Sequence, residues 1–125
     1  MEVMETLSRS LEDYLETILV LELDGDFIIH SIDIAKRLGV SKPAVSRTLK
    51  HLANLGYITK ATYSTVSFTP KGRNLARSIY YRHNTIKKFL LSIGVSQKIA
   101  ENDCCKIEHV ISNETLRALA KLNKN

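Results

Sequence analysis

Gly39 stands between two short amphipathic segments in residues 32–52 and sets how this part of the chain can fold. Glycine adopts the left-handed conformation of a tight turn without steric cost, so the first segment is predicted to be a helix that ends at Gly39. Ser41 is a natural N-cap and Pro43 fits the first turn of a second helix, which is predicted to end at Gly56. The apolar residues that anchor the two helices are Ile34, Ala35, Leu38, Val40, Val45, Leu49 and Leu52. This pattern predicts a helix-turn-helix.

The exposed side of the second helix and the segment after it carry the features of a DNA-binding unit. Two β-rich stretches, residues 57–61 and 65–69, are joined by residues 62–64 and predict a hairpin directly after the helix. A helix-turn-helix followed by such a wing is a winged helix, whose outward donors suit DNA phosphates and base edges in a major groove. The predicted DNA-contacting residues are Lys36, Ser41, Lys42, Pro43, Ala44, Ser46, Arg47, Lys50, Lys60 and Tyr63. A protein-interaction module with a basic face is the alternative interpretation.

Charge is distributed unevenly along the 125 residues, which carry a formal net charge of +5. Residues 1–30 contain eight acidic residues and one basic residue, whereas residues 31–77 contain nine basic residues and one acidic residue. A basic segment that coincides with the predicted helix-turn-helix indicates a polyanionic partner, here double-stranded DNA. The acidic segment at the N-terminus indicates a second role that DNA binding does not explain.

Helical periodicity predicts further elements on both sides of the winged helix. A first helix is predicted to follow Ser8 or Ser10 and to run to about Leu23, and a long helix is predicted from Pro70 to about Leu91. Another helix is predicted near residues 96–111, and a last one is predicted to end at Leu122. The chain is therefore predicted to be mainly α, with a two-stranded wing.

Size and composition exclude several classes of protein. No apolar run approaches the roughly 20 residues that span a bilayer, and the acidic start is unlike a signal peptide, so we expect a cytoplasmic protein with no membrane contact. Cys104 and Cys105 are adjacent, which argues against a disulfide-stapled secreted scaffold. Because no nucleophile and base pair is recognisable, we expect neither an enzyme nor an organic substrate.

Three separate places in the sequence carry groups that bind divalent metals. Asp13 and Glu16 are three residues apart and share a helix face, for which a solvated surface is the alternative interpretation. His83 lies on the apolar stripe of the long helix, where a satisfied core histidine is the alternative. The third group has the spacing i, i+3 and i+4 on a predicted helix, where a thiol, a carboxylate and an imidazole can close on one ion. Its members are Cys105, Glu108 and His109, which lie beside the apolar side of the same helix, formed by Cys104, Ile107 and Ile111.

These motifs together resemble the diphtheria-toxin-repressor family, and the resemblance covers nearly the whole chain. The stretches that carry it are residues 12–16, 33–35, 45–46, 68–72, 82–83 and 105–112. The resemblance implies a winged helix-turn-helix DNA-binding domain in residues 1–71 and a helical metal-binding and dimerisation domain in residues 72–125. It also implies that a divalent metal is bound between the two domains.

Matched position by position, the chain is similar to the manganese-sensing branch of that family. The resemblance implies metal-ligand roles for Asp13, Glu16, His83, Glu108 and His109. Cys105 falls where that branch commonly has a glutamate and where the iron-sensing branch has a cysteine, and Lys87 replaces an acid that is common in the iron-sensing branch. Oxygen ligands favour Mn²⁺, whereas a thiolate favours Fe²⁺, Zn²⁺ or Co²⁺. Mn²⁺ is the predicted cofactor, ahead of the other three.

The function implied by the resemblance is a metal-activated repressor of metal-uptake genes that binds a palindromic operator as a homodimer. Three alternatives are open. An Fe²⁺-responsive repressor of the same family would use Cys105 as a ligand. A winged-helix regulator that senses an organic ligand, or none, would leave the acidic residues solvated. A helical metal-binding protein would carry its basic face incidentally. A measurement of DNA binding with and without metal would distinguish these alternatives.

The C-terminal helices carry more apolar surface than a unit of this size readily buries alone, which predicts a homodimer through these helices. The apolar residues concerned are Leu75, Ile79, Ile86, Phe89, Leu90, Ile99, Ile107 and Ile111.

Overall fold

The computed structural model describes residues 7–26, 28–61 and 65–123. Its elements in chain order are α1 (Arg9–Leu23), β1 (Ile29–His30), α2 (Ser31–Leu38), α3 (Lys42–Asn54), β2 (Ile58–Ala61), β3 (Thr65–Phe68), α4 (Pro70–Ser92), α5 (Gln97–Ile107) and α6 (Asn113–Leu122). The chain forms two compact units, Met1–Arg77 and Ser78–Asn125, and the boundary lies within α4. The domain boundary predicted from the sequence, after residue 71, falls in the first turn of the same helix.

The first helix begins at a side-chain cap, as its sequence predicts. The hydroxyl oxygen of Ser8 accepts a hydrogen bond from the backbone N–H of Leu11 at 3.3 Å. Leu15 and Ile18, on the apolar stripe, are fully buried in the core of the first unit. Capping and an apolar stripe of helical period are therefore sufficient to explain where α1 starts and which face it buries.

The helix-turn-helix is confirmed at both of its decisive residues. Gly39 has a φ of 68° and ends α2 in the left-handed conformation, with its N–H donated to the carbonyl of Ala35 at 2.9 Å. Ser41 caps α3 by accepting a hydrogen bond from the N–H of Ala44 at 3.3 Å. The buried residues of α2 and α3 are Ile34, Ala35, Val45, Leu49 and Leu52. α2 packs against both α1 and α3, and the opposite face of α3 is exposed to solvent.

The two strands of the wing are confirmed, and a third strand joins them. β2 and β3 are antiparallel, and their register runs from Ile58 opposite Phe68 to Ala61 opposite Thr65. β1 pairs with the other edge of β3, which gives the order β1-β3-β2. The sequence did not predict β1, since two residues are too few to show alternation. The predicted turn of the wing, residues 62–64, lies outside the described residues.

Within the first unit, the side chain of Thr69 links the start of α4 to the loop after α3. The hydroxyl of Thr69 donates a hydrogen bond to the carbonyl of Gly56 at 2.6 Å and accepts one from the N–H of Gly72 at 3.0 Å. A Cβ atom at residue 72 would lie 1.7 Å from the carbonyl oxygen of Tyr57. Only glycine therefore fits at this close approach of helix and loop.

The second unit corrects one predicted helix end. The helix predicted near residues 96–111 is α5, which ends at Ile107, so Glu108 and His109 lie in the turn that follows rather than on the helix with Cys105. The N–H groups of Val110 and Ile111 both donate to the carbonyl of Ile107, which closes a turn and stops the helix. No glycine or proline marks this end, so helical spacing alone could not reveal it.

α4, α5 and α6 share a small apolar core in the second unit. Its members are Ile86, Cys104 and Leu116, with Leu90, Ile107, Ile111 and Leu119 packed against them. Several residues assigned from the sequence to a dimer surface are therefore used inside the protomer, Ile86 and Ile107 among them. In the part of the chain that the structure describes, no helix combines the length and apolar character needed to cross a membrane.

Candidate metal centre and DNA-binding surface

His83 lies among ionisable and thiol side chains within the second unit. Its Nδ1 atom is 3.4 Å from Oε2 of Glu108, and the other oxygen of Glu108 is 3.6 Å from Nε2 of His109. The Sγ atom of Cys105 is 3.9 Å from the same Nδ1 atom of His83. α4, α5 and the turn after α5 thus bring together the four metal ligands predicted for this unit, even though the helix that was expected to carry three of them ends early.

The Glu108 carboxylate is the feature of this cluster that most needs a cation. Its side chain is 1% exposed, and within the described residues neither of its oxygens accepts a hydrogen bond. A buried carboxylate is costly unless a positive charge or hydrogen-bond donors compensate it. Its close neighbours in this unit are two imidazoles, and nitrogen and oxygen donors are ligands that divalent transition metals accept. The residues present therefore fit a metal ion.

Cys104 belongs to the cluster although the sequence placed it on the apolar side of its helix. Its side chain is fully buried, and its Sγ atom lies 3.6 Å from each ring nitrogen of His83. Burial raises the pKa of the Cys104 thiol to about 12. Its S–H donates to the backbone carbonyl of Glu101 at 3.3 Å.

Glu101 is a second residue that the sequence analysis did not single out. Its Oε1 atom is 3.2 Å from Nε2 of His83, and its Oε2 atom is 2.8 Å from the ammonium of Lys87. This hydrogen bond from Lys87 lowers the pKa of Glu101 and raises that of Lys87. The spacing of Glu101 from Cys104 and Cys105, three and four residues, was the signal that could have indicated a shared helix face.

Asp13 and Glu16 are on α1, in the first unit. Both side chains are half-buried, so the interpretation of a fully solvated acidic face is not supported. Asp13 borders a cavity of about 420 Å³ whose other lining residues are Arg9, Ser10, Tyr14, Leu38 and Val40. Their role as metal ligands stays a prediction.

The residues predicted to contact DNA form an exposed surface on the first unit. Of the predicted set, Lys36, Ser41, Lys42, Pro43, Ser46, Arg47, Lys50 and Lys60 are exposed, and Ala44 is half-buried. Tyr63 lies outside the described residues. Exposure along one face of α3 is what a helix needs in order to enter a major groove.

A groove beside α3 combines three residues predicted to contact DNA with others, such as His30, Ser31 and Ile32, that were not predicted. It has a volume of about 410 Å³ and is lined by His30, Ser31, Ile32, Lys42, Val45, Ser46 and Lys60. The ammonium of Lys60 on β2 lies 3.5 Å from the hydroxyl of Ser46 on α3. The wing and the recognition helix therefore present their polar groups side by side.

A winged helix with a basic recognition helix, joined to a helical unit that holds imidazoles, carboxylates and thiols, defines a metal-dependent DNA-binding protein. Two family models match the chain. Residues 6–66 match the N-terminal DNA-binding domain of iron-dependent repressors, and residues 69–125 match their metal-binding and dimerisation domain. The chain belongs to the iron-dependent repressor family of transcriptional regulators.

Individual relatives agree with this assignment. The chain is 42% identical to the transcriptional regulator MntR of Salmonella typhimurium, over 94% of this chain and 74% of that protein. It is 37% identical to an uncharacterized HTH-type transcriptional regulator of Methanocaldococcus jannaschii, over 90% of this chain and 91% of that protein. The diphtheria toxin repressor of Corynebacterium diphtheriae is 33% identical over 98% of this chain and 54% of its own length.

Solved structures show the same fold. The manganese regulator SloR is 30% identical, with a TM-score of 0.77 over 90% of this chain. The metal-dependent transcriptional regulator MtsR is 26% identical, with a TM-score of 0.83 over 93% of this chain. The chain spans about half the length of these two solved chains, 52% and 54%.

Proposed function

We propose that this protein is a manganese-activated transcriptional repressor that binds operator DNA as a homodimer and controls metal-uptake genes. The observation that carries the proposal is the buried Glu108 carboxylate, which lies between His83 and His109 and accepts no hydrogen bond from the described residues. A site of this kind is stabilised by a divalent cation. Membership of the iron-dependent repressor family supports a regulatory use of that cation.

The proposed ligands come from two parts of the sequence. His83, Glu108 and His109 are donors within the second unit, and Cys105 adds a thiol at 3.9 Å from His83. Asp13 and Glu16 on α1 are proposed as further ligands from the resemblance to the manganese-sensing branch. Three carboxylates and two imidazoles make a mainly hard donor set, which suits Mn²⁺.

The regulatory mechanism follows from the charges on these side chains. Asp13, Glu16 and Glu108 are all acidic, so without compensation their mutual repulsion opposes any arrangement that brings them together. A bound divalent cation supplies the positive charge that turns this repulsion into coordination. Asp13 and Glu16 belong to the DNA-binding unit and Glu108 to the helical unit. If they bind one ion, as the resemblance implies, DNA binding by α3 depends on the metal. Coupling of this kind is typically worth about 1–3 kcal/mol.

DNA binding is assigned to the exposed face of α3 and to the wing. Arg47 is proposed to reach a base edge, since an arginine on a recognition helix can donate two hydrogen bonds to guanine. Lys42, Lys50 and Lys60 are proposed to hold phosphates. In a twofold dimer, the two α3 helices enter successive major grooves about 34 Å apart, which implies a palindromic operator.

An iron-responsive repressor of the same family is the second candidate. The observation that favours it is the pair of thiols close to His83, because thiolates prefer Fe²⁺ or Zn²⁺ over Mn²⁺. The two candidates share the DNA-binding assignment and differ in the activating metal.

The test is DNA affinity as a function of metal. Duplexes are selected from a random pool by the Mn²⁺-loaded protein and, separately, by the Fe²⁺-loaded protein. They are labelled, and their affinity is measured by fluorescence anisotropy at fixed salt without metal and with Mn²⁺, Fe²⁺, Zn²⁺ or Co²⁺. Mn²⁺ is expected to increase the affinity for the selected duplex more than for random duplex. Stimulation by Fe²⁺ under anaerobic conditions with none by Mn²⁺ would assign the iron-responsive function instead. Equal affinity with and without every metal would overturn the proposal.

A further inference from the structure

Glu101 on α5 joins two residues that stand one turn apart on α4. Its Oε1 atom is 3.2 Å from Nε2 of His83, and its Oε2 atom is 2.8 Å from the ammonium of Lys87. His83 and Lys87 are four positions apart, so they lie on the same face of their helix. The two oxygens of one carboxylate are thus divided between an imidazole and a permanent positive charge.

The imidazole of His83 is held on its face as well as at its edge. The Sγ atom of Cys104 lies 3.6 Å from each of the two ring nitrogens. Because the sulfur is equally distant from both, it packs across the ring and is not directed at either lone pair. Cys104 is fully buried, and the His83 side chain is only 12% exposed, so the ring has little room to turn.

A neutral imidazole carries its proton on one of the two ring nitrogens, and the neighbouring groups decide which one. Nε2 of His83 is 3.2 Å from Glu101, whereas Nδ1 is 3.4 Å from Glu108. A proton on Nε2 is therefore donated to the nearer carboxylate. Nδ1 then becomes an acceptor beside the Glu108 carboxylate, and two acceptors in this position are brought together by a cation. Metal-binding histidines usually donate their second N–H to a carboxylate or a carbonyl in this manner.

We propose that Glu101 is a positioning residue for the metal centre: it keeps the proton of His83 on Nε2 and so presents Nδ1 to the metal, while Lys87 holds the Glu101 carboxylate in place. This role rests on the proposed manganese centre, to which His83 contributes. Glu101 is accordingly not a ligand itself. Removal of the Lys87 charge should weaken metal binding, although the repulsion between an ammonium and a metal cation, taken alone, predicts the opposite.

The position of the proton is measured on the full chain, reduced and freed of metal, by ¹⁵N NMR of the imidazole nitrogens at a pH at which histidine is neutral. The chain has four histidines, and His83→Gln identifies the resonances that belong to His83. The proton is expected on Nε2. Zn²⁺, used as a diamagnetic probe, is expected to shift the Nδ1 resonance while Nε2 keeps its proton. A proton on Nδ1, or Zn²⁺ bound through Nε2, would overturn the proposal.

Mn²⁺ affinity, measured by calorimetric titration, tests the two positioning side chains. Glu101→Gln should lower the affinity at least about tenfold, and Lys87→Met should lower it about threefold. Lys87→Arg keeps the positive charge and should retain most of the wild-type affinity. Asp103→Asn removes a carboxylate from an exposed position on α5 and is the matched control, which should leave the affinity unaltered. Circular dichroism confirms that each variant is folded.

The direction of the Lys87→Met effect separates positioning from simple charge. A higher or unchanged Mn²⁺ affinity in this variant would overturn the proposal, and so would full affinity in Glu101→Gln. A wild-type chain that binds no Mn²⁺ would overturn the proposed function. A proton on Nδ1 of His83 in a chain that binds Mn²⁺ normally would instead overturn only the role of Glu101.

Discussion

Nδ1 of His83 lies 3.4 Å from Oε2 of Glu108, although 25 positions separate the two residues in the sequence. α4 supplies the imidazole, and the turn after α5 supplies a carboxylate that is 1% exposed. A protonated imidazole can neutralise this carboxylate, but a metal ion needs the imidazole neutral and the carboxylate charged. The pair is therefore the place where metal binding and the stability of the second unit are linked.

Glu108→Gln tests that link. The change removes the negative charge and keeps the shape, so Mn²⁺ affinity should fall by about tenfold or more. Mn²⁺ should also lose its ability to raise the Tm of the protein, since stabilisation by a ligand depends on its affinity. Calorimetric titration and thermal unfolding with and without Mn²⁺ are the measurements. Glu114→Gln, at an exposed position on α6, is the control and should retain both effects. Unchanged Mn²⁺ affinity in Glu108→Gln would remove this residue from the metal centre.

Arg47→Ala should relax sequence discrimination by the recognition helix. Arg47 is exposed on α3, and a contact from its guanidinium to a base edge is worth about 1–3 kcal/mol of discrimination. Lys42→Ala should instead weaken all sequences alike and flatten the salt dependence. Affinities for selected and random duplexes at several salt concentrations distinguish these effects, with the exposed Lys98→Ala on α5 as the control. Equal losses on both duplexes for Arg47→Ala would mean that Arg47 holds only phosphate.

Ile99→Asp should weaken the proposed homodimer. Ile99 on α5 is 49% exposed, and Leu91 and Ile93 near the end of α4 are also exposed apolar residues of the second unit. A charge introduced into a buried apolar interface should raise the dimer dissociation constant at least about tenfold. Sedimentation equilibrium measures this change. Leu23→Asp, at an exposed apolar position at the end of α1, is the control. A wild-type protein that is monomeric at micromolar concentration without metal would make dimerisation part of the switch.

Gly72→Ala should destabilise the first unit by about 1–3 kcal/mol. The added methyl group would lie 1.7 Å from the carbonyl oxygen of Tyr57, which belongs to the backbone and cannot move aside without shifting the loop. Chemical denaturation followed by circular dichroism gives the change in free energy of unfolding. Asn74→Ala, on the exposed side of the same helix, should be nearly neutral. Equal stability of Gly72→Ala and wild type would show that α4 does not dock as described.

Arg73→Lys should cost about 0.5–1 kcal/mol of unfolding free energy. The guanidinium of Arg73 donates two hydrogen bonds to the carboxylate of Glu22, at 2.7 and 3.1 Å, and these raise the pKa of Arg73. Lysine keeps the charge but cannot make the paired contact, and partial exposure limits the loss. Arg77→Lys, one turn further along α4 and exposed, is the matched control. The same denaturation experiment at low and high salt should show the difference shrinking as salt screens the pair.

The sequence by itself determined the winged helix, because its signals are local. Ser8 and Ser41 cap helices by accepting hydrogen bonds from N–H groups three residues further on, and Gly39 ends α2 through its own φ angle. The two strands of the wing were predictable from β-rich composition alone. Each of these signals acts within a few residues and so survives without any knowledge of the rest of the fold.

Only the tertiary structure decided the composition of the thiol and imidazole cluster. Helical spacing put Cys104 on the apolar side of its helix, and it is indeed buried in the core, but α4 packs against that core and carries His83 to within 3.6 Å of the Cys104 sulfur. Because α5 ends at Ile107, Glu108 lies in the turn after the helix, yet its carboxylate is still 3.4 Å from Nδ1 of His83. The physical reason is that contacts between residues more than 20 positions apart depend on how whole helices pack. That packing is set by the summed burial of many side chains and not by the spacing of any one motif.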